Sequence, residues 1–350
     1  MRERVAELLH RAGALGAIMH VRRFAPFAVV PIVTYHHVSA DDPAYPYDPD
    51  TADATPEQFR RQLETVVRHA TPIGVDDLIG AIDGKPLPTN AVMITFDDGY
   101  RSCHDVALPI LKELGVRATF FISTRFVTDR ALYWWERISL MVKRATRSGV
   151  ITYPQRIELD PRNPSARRVL NQTIKNTAHL DVDQFLTQIA NALGVEWNPS
   201  IEASHANELI MTWDQVRTLA AAGMDIESHT RNHRVLQTLD QDGLRSELEG
   251  SRKDIETEIG RPVRALAYPV GRRVHRSAQI RKALIDAGYR IGLSNVSGVN
   301  WLWPSSLRTM RPIDPYDLRR LATDREMSDA MYFTQFALPG LAHIHAQNKD

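Results

Sequence analysis

Two groups of side chains in this sequence have the types and spacing to do chemistry together. In Thr95-Phe96-Asp97-Asp98-Gly99-Tyr100, adjacent carboxylates follow the apolar run Ala91-Val92-Met93-Ile94. Consecutive strand residues point to opposite faces, so both carboxylates converge only where the strand ends, and Gly99 marks such an end. α/β folds put chemistry at strand ends that face a cleft. The same Asp-Asp-Gly also fits an ordinary polar turn. In Ser228-His229-Thr230-Arg231-Asn232-His233, two imidazoles stand four residues apart, a spacing that brings both to one side of a turn of helical pitch. Two histidines and one carboxylate, with positions left open, suit a catalytic divalent metal such as zinc, and a spare carboxylate then lies beside it.

The remaining chain must position these groups. Its 350 residues suffice for one large domain or two ordinary ones, and a hydrophobic content of 43% supplies a sizeable core. A net charge of +1 gives no bulk electrostatic argument for nucleic acid. The single cysteine, Cys103, excludes an intramolecular disulfide framework and a Cys-rich metal site. No run approaches the ~18 apolar residues of a membrane span. The short apolar run at residues 12–19 lacks a convincing cleavage site, so the expectation is a cytoplasmic protein. Within residues 1–28, Leu8, Leu9, Ala12, Leu15 and Ile18 recur at helical spacing among Arg2, Arg4, Arg11, Arg22 and Arg23. Such a basic amphipathic helix either lies on a membrane surface or packs on its own domain.

In chain order, residues 29–35 read as a buried strand ending at His36-His37, with His36 either in a cleft or on the surface. Residues 39–55 form a long loop, the kind that often carries function. Thr55 caps a helix through Phe59, Leu63 and Val66. Residues 75–82 form a shorter helix before the Asp97-Asp98 strand. A helix, a glycine and a strand then alternate, with stops at Gly115, Gly223, Gly260 and Gly288. This rhythm predicts a parallel sheet with covering helices, open or closed into a barrel. Residues 129–210 break it. They read as an inserted helical subdomain, with helices near 138–145, 167–178 and 185–193. Its Trp134 and Trp135 either stack on a sugar at a cleft rim or dock the insertion onto the main fold. The last strand is expected at Leu307–Ile313, followed by a helix near Tyr316–Leu321 in a helical tail, 316–350.

The two motifs, T-F-D-D-G and H-[ST]-x-x-H, occur in the order and setting of the polysaccharide deacetylases of carbohydrate esterase family 4, the nodulation-factor deacetylase homology group, which the chain resembles from about Pro31 to Pro315. The resemblance implies a distorted (β/α) barrel, typically seven-stranded, formed here by residues 29–128 and 211–315. It implies Asp97 as general base and Asp98, His229 and His233 as ligands of a divalent metal, zinc foremost, with cobalt or nickel also accepted. The third motif departs from the family pattern R-x-P-[YFW]-G. Ala267-Tyr268-Pro269-Val270-Gly271 has alanine where an arginine orients the base, and valine in place of an aromatic residue. Arg272, Arg311 or another arginine is expected to substitute. The Val270 N–H can hold an oxyanion without a side chain, with Tyr268, Pro269, Gly271 and Tyr100 shaping the substrate side. For the general acid, Leu341-Ala342-His343 matches the last family motif in letters, while His36 and bound solvent are alternatives. The implied activity is metal-dependent removal of N-acetyl groups from an amino-sugar glycan or glycolipid. Hydrolysis of another amide or ester, or glycan binding without turnover, are the other readings. At least two of Tyr35, Tyr100, Tyr268, Trp301 and Trp303 are expected to flank the cleft.

Overall fold

In the computed structural model, which describes residues 2–25, 27–42, 44–274, 276–303 and 313–339, seven parallel strands close into a barrel. They are β1 (Ile32–Tyr35), β2 (Ala91–Phe96), β3 (Thr119–Ile122), β4 (Asp225–Ser228), β5 (Ala265–Ala267), β6 (Ile291–Ser297) and β7 (Leu318–Ala322). Each pairs with its sequence neighbours, and β7 and β2 both pair with β1, which completes the ring. A short eighth strand, Thr71–Ile73, pairs with the first half of β2. The sequence explains the local boundaries. Thr55 and Thr212 close capping boxes on the helices Pro56–His69 and Trp213–Ala221, and each satisfies two otherwise orphaned N–H groups.

Alternation along the strands sorts side chains into two cores. Val33, Ile94, Phe120, Ile226 and Leu266 face outward and pack under the helices. Ile32, Met93, Phe121, Ala265, Ile291 and Leu318 pack together in the lumen. Two residues further along the same inward faces the lumen turns polar. Thr34 and Thr95 meet there, hydroxyl to hydroxyl at 3.1 Å. One layer higher, at the C-terminal mouth, the same alternation delivers His36, Asp97, His229 and Asn295. The barrel is thinnest between β4 and β5, joined in the ladder only at Ser228 and Leu266. There the buried Glu227 carboxylate accepts the N–H groups of Arg264 and Ala265 at 2.8 and 2.7 Å, replacing missing main-chain bonds.

The chain departs from its sequence reading at the end of the barrel. Residues 316–321, expected as helix, contain strand β7, so the barrel extends beyond 315. The expected strand Leu307–Ile313 falls almost wholly outside the described residues, as does Leu341-Ala342-His343. Leu318 and Leu321 stand at helical spacing, but in β7 they face opposite sides, Leu318 into the lumen and Leu321 outward. A helix, Asp329–Ala337, follows, capped by Ser328. The insertion contains the helices Trp134–Lys143, Ala166–Asn176, Val182–Leu193 and Pro199–Leu209. It also contains an unexpected hairpin, Gly149–Ile151 against Ile157–Leu159. No described helix is long and apolar enough to cross a membrane.

Candidate metal centre and catalytic mouth

Strand β2 ends at Phe96, and Asp97 continues its inward face. Asp98 then turns to the left-handed region, φ 73°, and Gly99 follows at 83°. That reversal lets two adjacent carboxylates reach one mouth. After β4, Thr230 (φ 67°) and His233 (φ 51°) bend the chain so that both imidazoles return to Asp98. Val270, in the loop after β5, has φ 61°, a conformation that costs a β-branched residue energy. Four of the seven non-glycine residues with positive φ among the described residues thus lie in the mouth loops, and backbone strain of this kind persists where the surrounding structure over-determines it. Gly271 beside it has φ 73°, and an added Cβ would meet Asn295 Cβ at 2.1 Å.

Asp98 Oδ1 lies 3.3 Å from His229 Nε2 and 3.3 Å from His233 Nε2, and the two nitrogens are 3.1 Å apart. All three residues are buried. His229 Nδ1 lies 2.8 Å from the Ala267 carbonyl. A carbonyl only accepts, so Nδ1 carries the proton and Nε2 presents a lone pair. That lone pair faces a carboxylate oxygen with no hydrogen-bond partner. Burial pushes the His233 imidazole down to about 3, so it too is neutral. Two neutral imidazoles and a carboxylate crowded at these separations fit a cation. Tetrahedral ligands ~2.0–2.1 Å from zinc stand about 3.3 Å from one another. Titrating zinc to a hundred times its Kd should therefore stabilise the fold by about 2.7 kcal/mol. Thermal melts should lose that gain in Asp98→Asn, and an equal gain in the variant would exclude this ligand set.

Asp97 is the carboxylate left beside the triangle. Its two oxygens accept a fork from Arg320, at 2.8 Å from Nη1 and 2.7 Å from Nη2, and both side chains are 1% exposed. Arg320 enters from β7, two residues beyond Leu318 on the inward face. Its Nε donates to the Ser294 carbonyl at 3.3 Å, where the β6–β7 register shifts between Leu293 and Ser297. A bulge re-aims a strand in this way. Burial works against charge on Asp97, but Arg320, with His36 beyond it, holds it well below the usual carboxylate range. Arg320 therefore supplies from β7 the guanidinium on Asp97 that the third motif lacks. Arg272 instead reaches Asn176 in the insertion, and Arg311 lies outside the described residues.

His36 also reaches the mouth. Its Nε2 is 4.0 Å from Asp97 Oδ2, its Nδ1 is 3.0 Å from Asp53 Oδ2, and its side chain is 28% exposed. Asp53 comes from the long loop, whose segment Ala52–Ala54 pairs with His37–Val38. Burial lowers the tendency of His36 to protonate, yet Asp53, with Asp98 and Asp97, overrides it and raises the pKa to about 9.

The aromatic residues behave otherwise than expected. Tyr35 faces outward and donates to Gln62 at 2.8 Å. Tyr100 is fully buried and donates to Glu136 at 2.7 Å. Tyr268 is buried and donates to the Tyr316 carbonyl at 2.8 Å. Trp301 pairs with Val29, upstream of β1, so it and Trp303 lie toward the base. Trp134 and Trp135 are nearly buried, with ring centroids 5.1 and 4.8 Å from His233, so they dock the insertion against a candidate ligand. Glu136 pins that junction. It accepts the Asp48 N–H at 2.7 Å, and also the Tyr100 hydroxyl and the Trp135 indole. Pro269 and Gly271 are buried in the loop after β5. Asp53, Arg320 and Asn295 join the mouth without having been singled out in the sequence. Asn295 Oδ1 is buried with no hydrogen-bond partner.

The sequence pattern of the polysaccharide deacetylase family matches residues 84–292. The YxkH protein of Bacillus subtilis (strain 168) is 23% identical over 216 residues, 62% of this chain and 48% of that protein. The chain thus spans about half the length of the curated relative it matches. Among solved structures, the Streptococcus pyogenes deacetylase PplD in complex with acetate has a TM-score of 0.56 at 17% identity, covering 87% of this chain and 96% of that one. A de-N-acetylase from Aggregatibacter actinomycetemcomitans has a TM-score of 0.53 at 18% identity, covering 86% and 97%. At these identities the likeness carries the barrel fold.

Proposed function

We propose that this chain, which belongs to the polysaccharide deacetylase family, is a metal-dependent hydrolase that removes N-acetyl groups from an amino-sugar glycan or glycoconjugate. The observation that carries this reading is a carboxylate, Asp97, clamped by a buried arginine beside three convergent ligand atoms. A divalent cation held by Asp98, His229 and His233 would supply Lewis-acid polarisation. Asp97 takes the proton of the attacking water at Oδ2, the oxygen nearest His36 and His229. The water oxygen bonds to the acetamide carbon, and the Val270 N–H donates to the oxyanion. The C–N bond breaks as His36 Nε2 gives its proton to the departing amine, with Asp53 holding Nδ1. The Arg320–Asp97 pair supports turnover over glycan binding alone.

Incubating the zinc-loaded chain with N-acetylated glucosamine oligomers and with O-acetylated glycans tests the reading by mass analysis. Loss of acetyl mass from the N-acetylated set supports it, and loss from neither set contradicts it.

The histidine makes a pH prediction. Its raised pKa means that the proton is present below about 9 and lost as pH rises through that value. Turnover should fall on that alkaline limb. His36→Gln should lower kcat by roughly 10²–10⁴-fold at neutral pH and flatten the limb. A limb unchanged in His36→Gln would assign the proton to another group.

A further inference from the structure

We propose that the base of the barrel, opposite the catalytic mouth, docks on an anionic bilayer surface. Of the nine large apolar side chains exposed among the described residues, Val5, Leu8, Val21, Phe24 and Trp301 lie on the N-terminal helices or against the strand that follows them. Leu8 and Val21 are each 68% exposed and Phe24 is 77% exposed. The helices are Arg2–Arg11 and Ala14–Arg22. They bury little of themselves: Ala6 from the first, and Leu15 and Met19 from the second. The second helix sits at the base, since Asn90, which immediately precedes β2, donates to the Met19 carbonyl at 3.0 Å, and the first reaches it with its last turn, where His10 packs on Phe333 and that ring stacks on His69. Phe27, three residues beyond Phe24, packs on Trp301 and Trp303, with ring centroids 5.3 and 5.2 Å apart.

The charge around these apolar groups selects the partner. Residues 1–28 hold five arginines against two glutamates. Glu3 accepts the Ser328 hydroxyl at 2.7 Å, and Glu7 pairs with Arg11. Arg4, Arg11, His20 and Arg23 are exposed beside Leu8, Val21 and Phe24. Exposed aliphatic and aromatic groups ringed by cations match the interface of a membrane carrying acidic lipids, where rings sit at headgroup depth and arginines meet phosphate. Docked in this way, the barrel presents Asp97 and His229 away from the bilayer. The mouth then serves a glycan that reaches it from solution.

Cosedimentation of the 350-residue chain with phosphatidylglycerol-containing vesicles and with pure phosphatidylcholine vesicles tests this. The wild type should pellet with the anionic vesicles and at least tenfold less with the neutral ones. Arg11→Gln and Arg23→Gln should each weaken binding about fivefold. Leu8→Glu with Phe24→Glu should abolish binding while acetate release from N-acetylated glucosamine oligomers is unchanged. A wild type that ignores both vesicle types overturns the proposal. So does equal binding by all variants, or concentration-dependent dimerisation lost in Leu8→Glu with Phe24→Glu in a wild type that binds no vesicles.

Discussion

Asp97→Asn should lower kcat by roughly 10²–10⁴-fold, the usual contribution of a positioned general base, while the protein still takes up one equivalent of zinc. The two adjacent carboxylates are separated by their partners. Asp98 Oδ1 faces the two imidazole Nε2 atoms at 3.3 Å, whereas both oxygens of Asp97 are committed to Arg320. Asparagine at 97 keeps the shape but cannot accept a proton. Asp98→Asn should lose metal and turnover together. Comparing zinc stoichiometry with kcat in the two variants separates the roles, and equal metal loss in both would contradict the division.

Arg320→Met should be the most damaging substitution away from the ligands. Arg320 and Asp97 are both buried, so removing the guanidinium strands a carboxylate without its counter-ion, at a cost of about 3–5 kcal/mol. Burial would then raise the Asp97 pKa. In the wild type the depressed pKa gives stability that is present above the ordinary carboxylate range and lost only as pH falls through the lower folded value. In Arg320→Met the acid limb of kcat/KM should therefore move to higher pH, and denaturant midpoints should drop. Arg320→Lys keeps the charge but not the fork, so it should recover part of the stability and little of the rate. An acid limb that stays in place in Arg320→Met would show that the guanidinium does not set the ionisation of the base.

Much of this site is legible from period-two alternation. Ile32-Thr34-His36 and Met93-Thr95-Asp97 each run from apolar lumen to polar mouth, and the glycine after Asp98 marks the turn. The His-x-x-x-His spacing shows the convergence of His229 and His233, although a bent loop and not a helix produces it. Arg320 was hidden for a physical reason. In Leu318-Arg319-Arg320-Leu321 a guanidinium occupies an inward position, so the apolar alternation that announces a strand is broken where function requires charge. Leu318 and Leu321 then mimic a helical stripe. Asp53 was equally obscure, because its partner His36 is brought to it by the parallel pairing of Ala52–Ala54 with His37–Val38 and not by sequence proximity. The aromatic residues misled for the opposite reason. Tyr35, Tyr100 and Tyr268 sit near strand ends, but their hydroxyls are spent on Gln62, Glu136 and the Tyr316 carbonyl.

The central step of the proposed reaction is attack of water on an acetamide at this mouth with Asp97 as its base. Turnover of an N-acetylated glucosamine oligomer in heavy-oxygen water measures this directly. The zinc-loaded wild type should release acetate carrying one heavy oxygen from the solvent, and Asp97→Asn should release almost none. Acetate without the label, or equal labelled acetate from Asp97→Asn, would contradict it.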